Sequence, residues 1–412
     1  MVNNGHMEKR ALYNNVWQEL SGSKAMVFLA GPRQAGKTTL AKMLARSYSN
    51  SFYWNWDILD DRKMLMENPS FFTGITRKDA TKPFIIFDEI HKHRGWKNYL
   101  KGVYDRFSEE YDFLVSGSGR LDIYQRGGDS LAGRYYLFHL MPFTLAEISG
   151  SRRPFADFMK NPLDITMERV KENLEAWEWL ALLSGFPEPF LSGRETVYRR
   201  WSNTYGRQII REDIRDLTEI KSVGDMETLY AFLPSKIGSP LSVTSLAENI
   251  GVSYNTVRSW LDILERFYLS FSIPTWTGKI ARAIQKERKY YLWDYGRIND
   301  RAAAFENMVA CELWRAVTLW TDLGLGAFSL HFIKDKEKRE VDFVVVKNGK
   351  PFLLVEAKLS DTEPSKTLAA FQNIMGIPAV QLTGAGEGYR IIPNKAKQIL
   401  IAPAWQWIAG LP

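Results

Sequence analysis

The sequence predicts an α/β protein of several domains, and three stretches carry this prediction. An apolar strand, residues 25–30, runs into a glycine-bearing loop and then into a helix-forming run. A second apolar run, residues 84–87, is typical of a parallel strand buried on both faces. Two strand-like segments follow much later, at 340–346 and 352–358. Because 412 residues exceed one ordinary hydrophobic core, we expect about two to four domains.

Composition indicates a globular protein, with 45% hydrophobic and 25% charged residues. The sequence has no apolar run of roughly 18 residues, and residues 1–20 are polar and mixed in charge, so we expect a cytoplasmic protein without a membrane partner. The net charge of +7 favours an anionic partner without deciding the matter. The single cysteine, Cys311, lies in an apolar helical run and is predicted to pack in a core.

The loop after the first strand has the spacing of a phosphate-binding loop, or P-loop. Glycines at both ends let the backbone turn its N–H groups toward phosphate oxygens, and the following helix presents its positive end to the same anion. Lys37 is predicted to neutralise phosphate charge, and the Thr38 hydroxyl to ligate Mg²⁺. The predicted nucleotide-binding residues are Gly31, Pro32, Arg33, Gln34, Ala35, Gly36, Lys37, Thr38 and Thr39.

Two carboxylates, Asp88 and Glu89, follow the second apolar run, as in a Walker B motif. We predict that Asp88 holds Mg²⁺, directly or through water, and that Glu89 orients and deprotonates the water that attacks the nucleotide. The alternative is a carboxylate pair that merely ends a strand. The P-loop upstream favours the catalytic interpretation.

Two further positions are candidates for the ATPase reaction. Ser116 ends a fourth strand and is predicted to bond the γ-phosphate or the attacking water, with Ser118 as second choice and a plain Ser-Gly turn as the alternative. Arg134 is either an arginine finger that reaches a neighbouring subunit's nucleotide or a surface arginine. A ring-shaped homo-oligomer follows if Arg134 acts in trans.

These motifs together resemble a large prokaryotic family of AAA+-like ATPases, whose members fuse such a domain to a long-uncharacterised C-terminal region. The resemblance rests on residues 31–38, 86–90, 116–118 and 130–134. The family typically has Gln where this chain has His91. The resemblance implies that the nucleotide is ATP.

Residues 241–269 have the pattern of a helix-turn-helix. A short helix capped by Thr244 or Ser245 is expected to end at Gly251, before a second helix that opens at Ser253. The basic segment 279–289 fits a wing, although winged helices also serve as protein-interaction or lid modules. The predicted DNA contacts are Tyr254, Asn255, Arg258 and Ser259 in the major groove and Arg282, Lys286 and Lys289 on phosphates.

Acidic residues near the C-terminus follow the order of a metal-dependent nuclease. Glu306 lies on a predicted helix and Asp342 on a strand, while Glu356 and Lys358 share one face of the next strand. We predict one Mg²⁺ or Mn²⁺ held by Asp342, Glu356 and Glu306, with Lys358 activating water or stabilising the developing charge. The pattern resembles the PD-(D/E)XK nuclease fold, although the proline before Asp342 is absent. A nuclease-like scaffold that binds without cutting is the alternative.

The predicted fold class is therefore α/β, with a P-loop AAA+-like parallel-sheet domain over residues 1–150 and a helical connector or lid over 151–237. A winged helix follows over 238–300 and a restriction-endonuclease-like α/β domain over 301–412. The first hypothesis is an ATP-driven DNA-processing enzyme with a metal-dependent nuclease. The second is a nucleotide-dependent switch or scaffold whose nuclease-like domain does not cut.

Overall fold

The computed structural model describes residues 10–117, 131–165, 167–215, 222–278, 287–360, 363–386, 388–394 and 397–412. The chain divides into two compact units, one made mainly from the chain up to Pro142 and the other mainly from Phe143 onward. None of the helices within these described ranges is both long and apolar enough to cross a bilayer.

The first unit is built on a parallel sheet in which every neighbouring pair of strands runs in the same direction. The strand order is β2-β3-β4-β1-β5. The strands are β1 Met26–Ala30, β2 Ser51–Asn55, β3 Phe84–Asp88, β4 Asp112–Ser116 and β5 Tyr136–His139. Because β4 lies between β1 and β3, the residues that follow these three strands meet at one sheet edge.

Helices cover this sheet, and its central strands are buried. They are α1 Ala11–Ser21, α2 Lys37–Ala45, α3 Leu59–Glu67 and α4 Trp96–Phe107, with short 3-10 turns at Phe71–Gly74 and Ile90–Lys92. All residues of β1 and β3 are buried, as the apolar runs predict. Aromatic side chains fill much of the core, including Phe28, Trp54 and Phe87.

The second unit begins with a helical region. Its helices are α5 Leu145–Ser149, α6 Phe155–Lys160, α7 Val170–Leu183, α8 Pro187–Ser192, α9 Glu195–Gln208, a π-helical turn Ile209–Ile214, α10 Val223–Phe232, a 3-10 turn Leu233–Lys236, α11 Val243–Ile250 and α12 Tyr254–Arg266.

Helices α11 and α12 form the predicted helix pair, and an antiparallel strand pair, β6 Ser270–Pro274 and β7 Arg288–Leu292, comes after them. The cap of α11 differs from the prediction, since the capping residue is Ser242, two residues before Thr244, and its side chain accepts the hydrogen bond from Ser245 N. Gly251 ends α11 in a left-handed conformation, as expected. The winged-helix assignment itself stays a prediction.

A six-stranded mixed sheet completes the second unit, in the order β12-β13-β11-β10-β9-β8. Its elements are a 3-10 turn Tyr295–Arg297, α13 Arg301–Asp322, β8 Phe328–Lys334, β9 Glu340–Lys347, β10 Lys350–Lys358, α14 Lys366–Met375, β11 Ala379–Thr383, β12 Arg390–Asn394, β13 Lys397–Pro403 and α15 Ala404–Ile408. Strands β8, β9 and β10 run antiparallel to one another, and β11 runs parallel to β10.

Helix α13 packs on β8 and β10 of this sheet, and α14 packs on β9 and β10. Cys311 is buried in α13, in agreement with its predicted place in a core. The sheet therefore brings the start of β9 and the end of β10 near α13 and the start of α14. The acidic residues lie in this region.

Candidate nucleotide and carboxylate sites

The P-loop occupies the turn between β1 and α2. Gly31 has a φ of +143°, and a Cβ there would lie 2.2 Å from the backbone oxygen of Leu140. Only glycine allows this close approach. Lys37 is buried, and its Nζ donates to the carbonyl oxygens of Gly31 at 3.0 Å and Pro32 at 2.7 Å. The lysine therefore lies folded against its own loop, bound to neutral acceptors.

Three hydroxyl groups converge on the carboxylate of Asp88, at the end of β3. Thr38 Oγ1 and Tyr53 OH each donate to Oδ2 at 2.7 Å, and Ser116 Oγ donates to Oδ1. Asp88 and Ser116 are also directly paired across β3 and β4. The structure thus brings the predicted residues Thr38, Asp88 and Ser116 together.

The oxygen atoms at Asp88 and Thr38 fit a Mg²⁺ site. This ion prefers oxygen ligands, and in nucleotide sites it takes one or two protein groups besides phosphates and waters. The Thr38 hydroxyl and the Asp88 carboxylate already meet at one point.

Glu89 follows Asp88 with a left-handed φ of +59°, a conformation that few non-glycine residues adopt. Its carboxylate lies 3.1 Å from Lys92 Nζ and 3.7 Å from His91 Nε2. Burial raises the pKa of Glu89, while Lys92 and Lys37 oppose that rise. A partly desolvated carboxylate with a raised pKa accepts a proton more readily than an exposed one.

Arg134 lies at the surface of the first unit, where its guanidinium binds the carboxylate of Asp105 in two hydrogen bonds of 2.6 and 3.1 Å. In this conformation the arginine has a partner within its own chain. Ser118, the second choice beside Ser116, lies outside the described residues.

The four residues predicted for the nuclease site do come close to one another in the second unit. Glu306, Asp342 and Lys358 line a cleft of about 820 Å³. Lys358 Nζ lies 3.1 Å from Glu356 Oε1, as strand alternation predicts. Ser365, which caps α14, also donates to Glu356. Burial raises the pKa of the Glu356 carboxyl.

Lys289 corrects one prediction. It was expected to contact DNA phosphates, but its side chain is buried, and its Nζ binds Glu340 at 2.7 Å, Glu306 at 3.0 Å and Asp342 at 3.3 Å. The reason is the strand period, because Lys289 shares the inward face of β7 with Tyr291. Burial disfavours the charged lysine, but the three carboxylates outweigh it and raise the pKa of Lys289.

The carboxylates around Lys289 do not fit a divalent metal in this arrangement. In the described part of the chain, no group of three or more His, Cys, Asp or Glu side chains is placed to hold a metal ion. Glu306 and Asp342, two of the three predicted ligands, both bind Lys289 Nζ. The other oxygen of Asp342 accepts from the N–H of Ala357 at 3.0 Å.

The predicted DNA-reading residues lie on the first turns of α12. Tyr254, Asn255, Arg258 and Ser259 are exposed, while Val257 on the same helix is buried. Arg282 and Lys286 lie outside the described residues.

Several residues in these two sites escaped the sequence-based prediction. Tyr53 bonds Asp88, Lys92 pairs with Glu89, and Tyr291 OH donates to Glu306 at 2.8 Å. Alternation along a strand offers a signal for two others. Glu340 lies two residues before Asp342 on β9, and Lys289 lies two residues before the apolar Tyr291 on β7.

Comparison with known proteins agrees with the geometry of the P-loop. Residues 23–149 match the family described as an AAA domain. Residues 174–306 and 301–400 match two families described as domains of unknown function, DUF8612 and DUF4143. An uncharacterised protein of Mycobacterium tuberculosis is 24% identical over 334 residues, which is 79% of this chain and 69% of that protein. An uncharacterised protein of Haemophilus influenzae is 22% identical, covering 70% of this chain and 74% of that protein.

Among solved structures, the Walker-type ATPase of Pyrococcus abyssi has a TM-score of 0.42 at 14% identity, covering 72% of this chain and 95% of that one. The ORC1 protein of Aeropyrum pernix, solved in complex with DNA, has a TM-score of 0.33 at 14% identity, covering 74% and 91%. The family match over residues 23–149, together with the glycine-bearing loop between β1 and α2, shows that the chain contains an AAA-type P-loop ATPase domain.

Proposed function

We propose that this protein is an ATP-hydrolysing switch that acts on DNA and that its C-terminal domain, as arranged here, does not cut it. The observation that carries the ATPase part is the meeting of Lys37, Thr38, Asp88 and Ser116 at one sheet edge. The AAA-type domain itself follows from the family match over residues 23–149.

Phosphate binding requires Lys37 to exchange partners. Its ammonium leaves the carbonyls of Gly31 and Pro32 and donates to phosphate oxygens, which are stronger acceptors because they are charged. Thr38 and Asp88 would hold Mg²⁺, which supplies positive charge to the phosphates when it is bound. The Ser116 hydroxyl, which donates to Asp88, is proposed to turn toward the γ-phosphate or the attacking water.

Glu89 is proposed as the general base that takes a proton from the attacking water. Its partial burial supports this role because the carboxylate is poorly hydrated. Lys92 fixes the side chain and offsets part of the cost of its charge.

Arg134 is proposed to act in trans within a homo-oligomer, which we expect to form in the presence of ATP. The arginine must then leave Asp105. Their ion pair is exposed and contributes little stability. Light scattering after gel filtration, with and without ATP, tests the assembly. A chain that stays monomeric with ATP removes the trans role.

DNA is proposed as the partner because α12 presents Tyr254, Asn255 and Arg258 on one exposed turn and the chain carries a net charge of +7. ATP turnover should rise when DNA is added, and Arg258→Ala should lower DNA affinity about tenfold. Arg199→Ala is the matched control, since Arg199 is an exposed arginine held by Glu195. ATP turnover that ignores DNA at low salt contradicts this part of the proposal.

A metal-dependent DNA nuclease is the second candidate for the C-terminal domain. The observation in its favour is that Glu306, Asp342, Glu356 and Lys358 lie around one cleft and its immediate wall. Against it stands the lysine among the carboxylates. Incubation of the wild type with Mg²⁺ or Mn²⁺ and with linear or branched DNA distinguishes the nuclease from the non-cutting switch. Cleavage that Lys358→Ala abolishes would establish the nuclease, and intact DNA in both proteins supports the non-cutting switch.

A further inference from the structure

The ammonium group of Lys289 and the acidic residues around it match one another in number and geometry. An ammonium group has three N–H donors. Lys289 Nζ has three carboxylate partners, Glu340 at 2.7 Å, Glu306 at 3.0 Å and Asp342 at 3.3 Å. These are hydrogen-bond distances, whereas Mg²⁺ binds oxygens at about 2.0–2.1 Å. With Lys289 present, the three carboxylates therefore surround an ammonium group at hydrogen-bond distance.

The lysine is also fixed from its backbone outward. Lys289 pairs with Ile273 in the β6–β7 ladder and forms a bridge with Pro240. Its side chain has no exposed surface, and its Nζ lies 5.7 Å from the ring centre of Phe332. Tyr291, two residues along the same strand, donates to the Glu306 oxygen that Lys289 also binds. This side chain is an internal part of the domain.

The acidic cluster nevertheless keeps contact with the cleft. Glu306 and Asp342 both line it, together with Lys358. Gly238 lies across from Glu306, where a Cβ would be 3.4 Å from Glu306 Oε2. A small cation that entered the cleft would reach the carboxylates, if the position of the Lys289 ammonium were free.

We propose that Lys289 is the resident cation of this cluster, standing where a divalent metal would join Glu306 to Asp342, and that removal of its charge opens a site for a hard divalent cation. The proposal concerns the carboxylates and the lysine alone. It does not depend on DNA binding or on ATP hydrolysis, so its test and theirs fail separately.

Manganese binding tests the proposal directly. Full-length protein without nucleotide is titrated with Mn²⁺, and free Mn²⁺ is followed by electron paramagnetic resonance. Asp88→Asn is present in every variant to remove the metal ligand of the nucleotide site. Lys289→Met should bind one Mn²⁺ at least about tenfold more tightly than the chain with Lys289, and adding Asp342→Asn should reverse the gain. Folded Lys289→Met that binds no better overturns the proposal.

Lys334→Met is the matched control. Lys334 is another strand lysine that contacts Glu340, at 3.8 Å, but it lies at the surface and also pairs with Glu287. Its loss leaves Lys289 in place, so Mn²⁺ affinity should not change. A gain equal to that of Lys289→Met would mean that total charge, and not the position of Lys289, controls the site.

A measurement on the lysine-containing chain keeps the test decisive if Lys289→Met does not fold. Its thermal unfolding temperature, in the Asp88→Asn background, should be the same in EDTA and in Mn²⁺, because a ligand raises that temperature only when it binds the folded state. A rise with Mn²⁺ that Asp342→Asn removes would overturn the proposal, since the metal would then bind beside the lysine.

Discussion

Two buried lysines, Lys37 and Lys289, show how partners decide whether a charge is available for function. Lys37 donates to two backbone carbonyls of its own loop, which are neutral acceptors. Lys289 binds three carboxylates drawn from β9 and α13. A phosphate can replace carbonyls as a partner at modest cost, whereas separating Lys289 from its partners leaves buried charges unpaired.

The acidic partners of the two sites differ in the same way. Asp88 accepts hydrogen bonds from the hydroxyls of Thr38, Tyr53 and Ser116, groups that can exchange for water or a metal ion. Asp342 instead accepts from an ammonium group and a backbone N–H. The carboxylate of Asp88 thus has neutral hydroxyl donors around it, whereas that of Asp342 is held by a buried cation and a backbone N–H.

The largest expected effect is on the rate of ATP hydrolysis and concerns Glu89, beside the predicted nucleotide site. Glu89→Gln should slow ATP hydrolysis by about 10²–10⁴-fold, because the amide cannot take the proton of the attacking water. ATP affinity should stay within about threefold, since Lys37 and the loop are intact. Turnover and equilibrium binding of a fluorescent ATP analogue measure the two quantities. Hydrolysis at the wild-type rate would remove Glu89 from the reaction.

The next effect tests the two lysines against each other. Lys289→Met should lower the free energy of unfolding by about 3–5 kcal/mol, because three carboxylates lose their buried partner. Lys37→Met should cost less, about 1–2 kcal/mol, because the lysine donates to neutral backbone carbonyls, yet it should abolish ATP binding. Urea unfolding and ATP binding of both variants give the comparison. Equal losses of stability would contradict the distinction between the two sites.

A third prediction concerns Glu312, a buried carboxylate of α13 that accepts from Leu145 N at 2.7 Å. Burial raises its pKa from a usual 4.5 to about 7. Between these values the folded chain binds more protons than the unfolded chain, so this residue makes stability fall as pH rises from about 4.5 to about 7. Glu312→Gln should remove up to about 3 kcal/mol of that fall.

The difference between wild type and Glu312→Gln, measured by unfolding at several pH values, isolates this residue from Glu306, whose pKa burial also raises, to about 7. If both proteins lose the same stability over that range, Glu312 is ionised in the folded state. That outcome would set the two buried carboxylates apart by their partners. Glu306 accepts from a lysine and a tyrosine hydroxyl on one oxygen, whereas Glu312 accepts from a backbone N–H.

The smallest effect on folding stability is expected for Arg134. Arg134→Ala should leave the free energy of unfolding nearly unchanged, because its ion pair with Asp105 is exposed. The same variant should lose ATP turnover in the oligomer if the arginine acts in trans. A mixture with Glu89→Gln subunits tests this, since activity should return only where a subunit with Glu89 meets a neighbour with Arg134. Full activity of Arg134→Ala alone leaves it as a surface arginine.

Much of the first site follows from contiguous sequence. The strand, the loop with Gly31 and Gly36, and the helix from Lys37 are adjacent in the chain, so the local pattern dictates their geometry. To predict that Asp88 and Ser116 lie near the loop, one must also know that neighbouring parallel strands end at the same edge of the sheet. The hydroxyl of Tyr53 joined them only because β2 pairs with β3.

The second site could be predicted only in part. Glu306, Asp342, Glu356 and Lys358 were expected together, and the sheet brings them close. The basic run 279–289 predicts one exposed surface, but its last two residues already belong to β7, where Lys289 is buried. Alternation along β7 places Lys289 on the same face as Tyr291, which predicts that the lysine points inward.

By itself the sequence determined the phosphate-binding loop, the parallel sheet behind it and the acidic order of the C-terminal domain, because each depends on residues near one another or on strand periodicity. Only the tertiary structure decided what each charge is paired with. Lys289 meets Glu306 and Asp342 from 17 and 53 residues away, and electrostatic energy in a buried site depends on separations of a few ångströms that no spacing in the chain records.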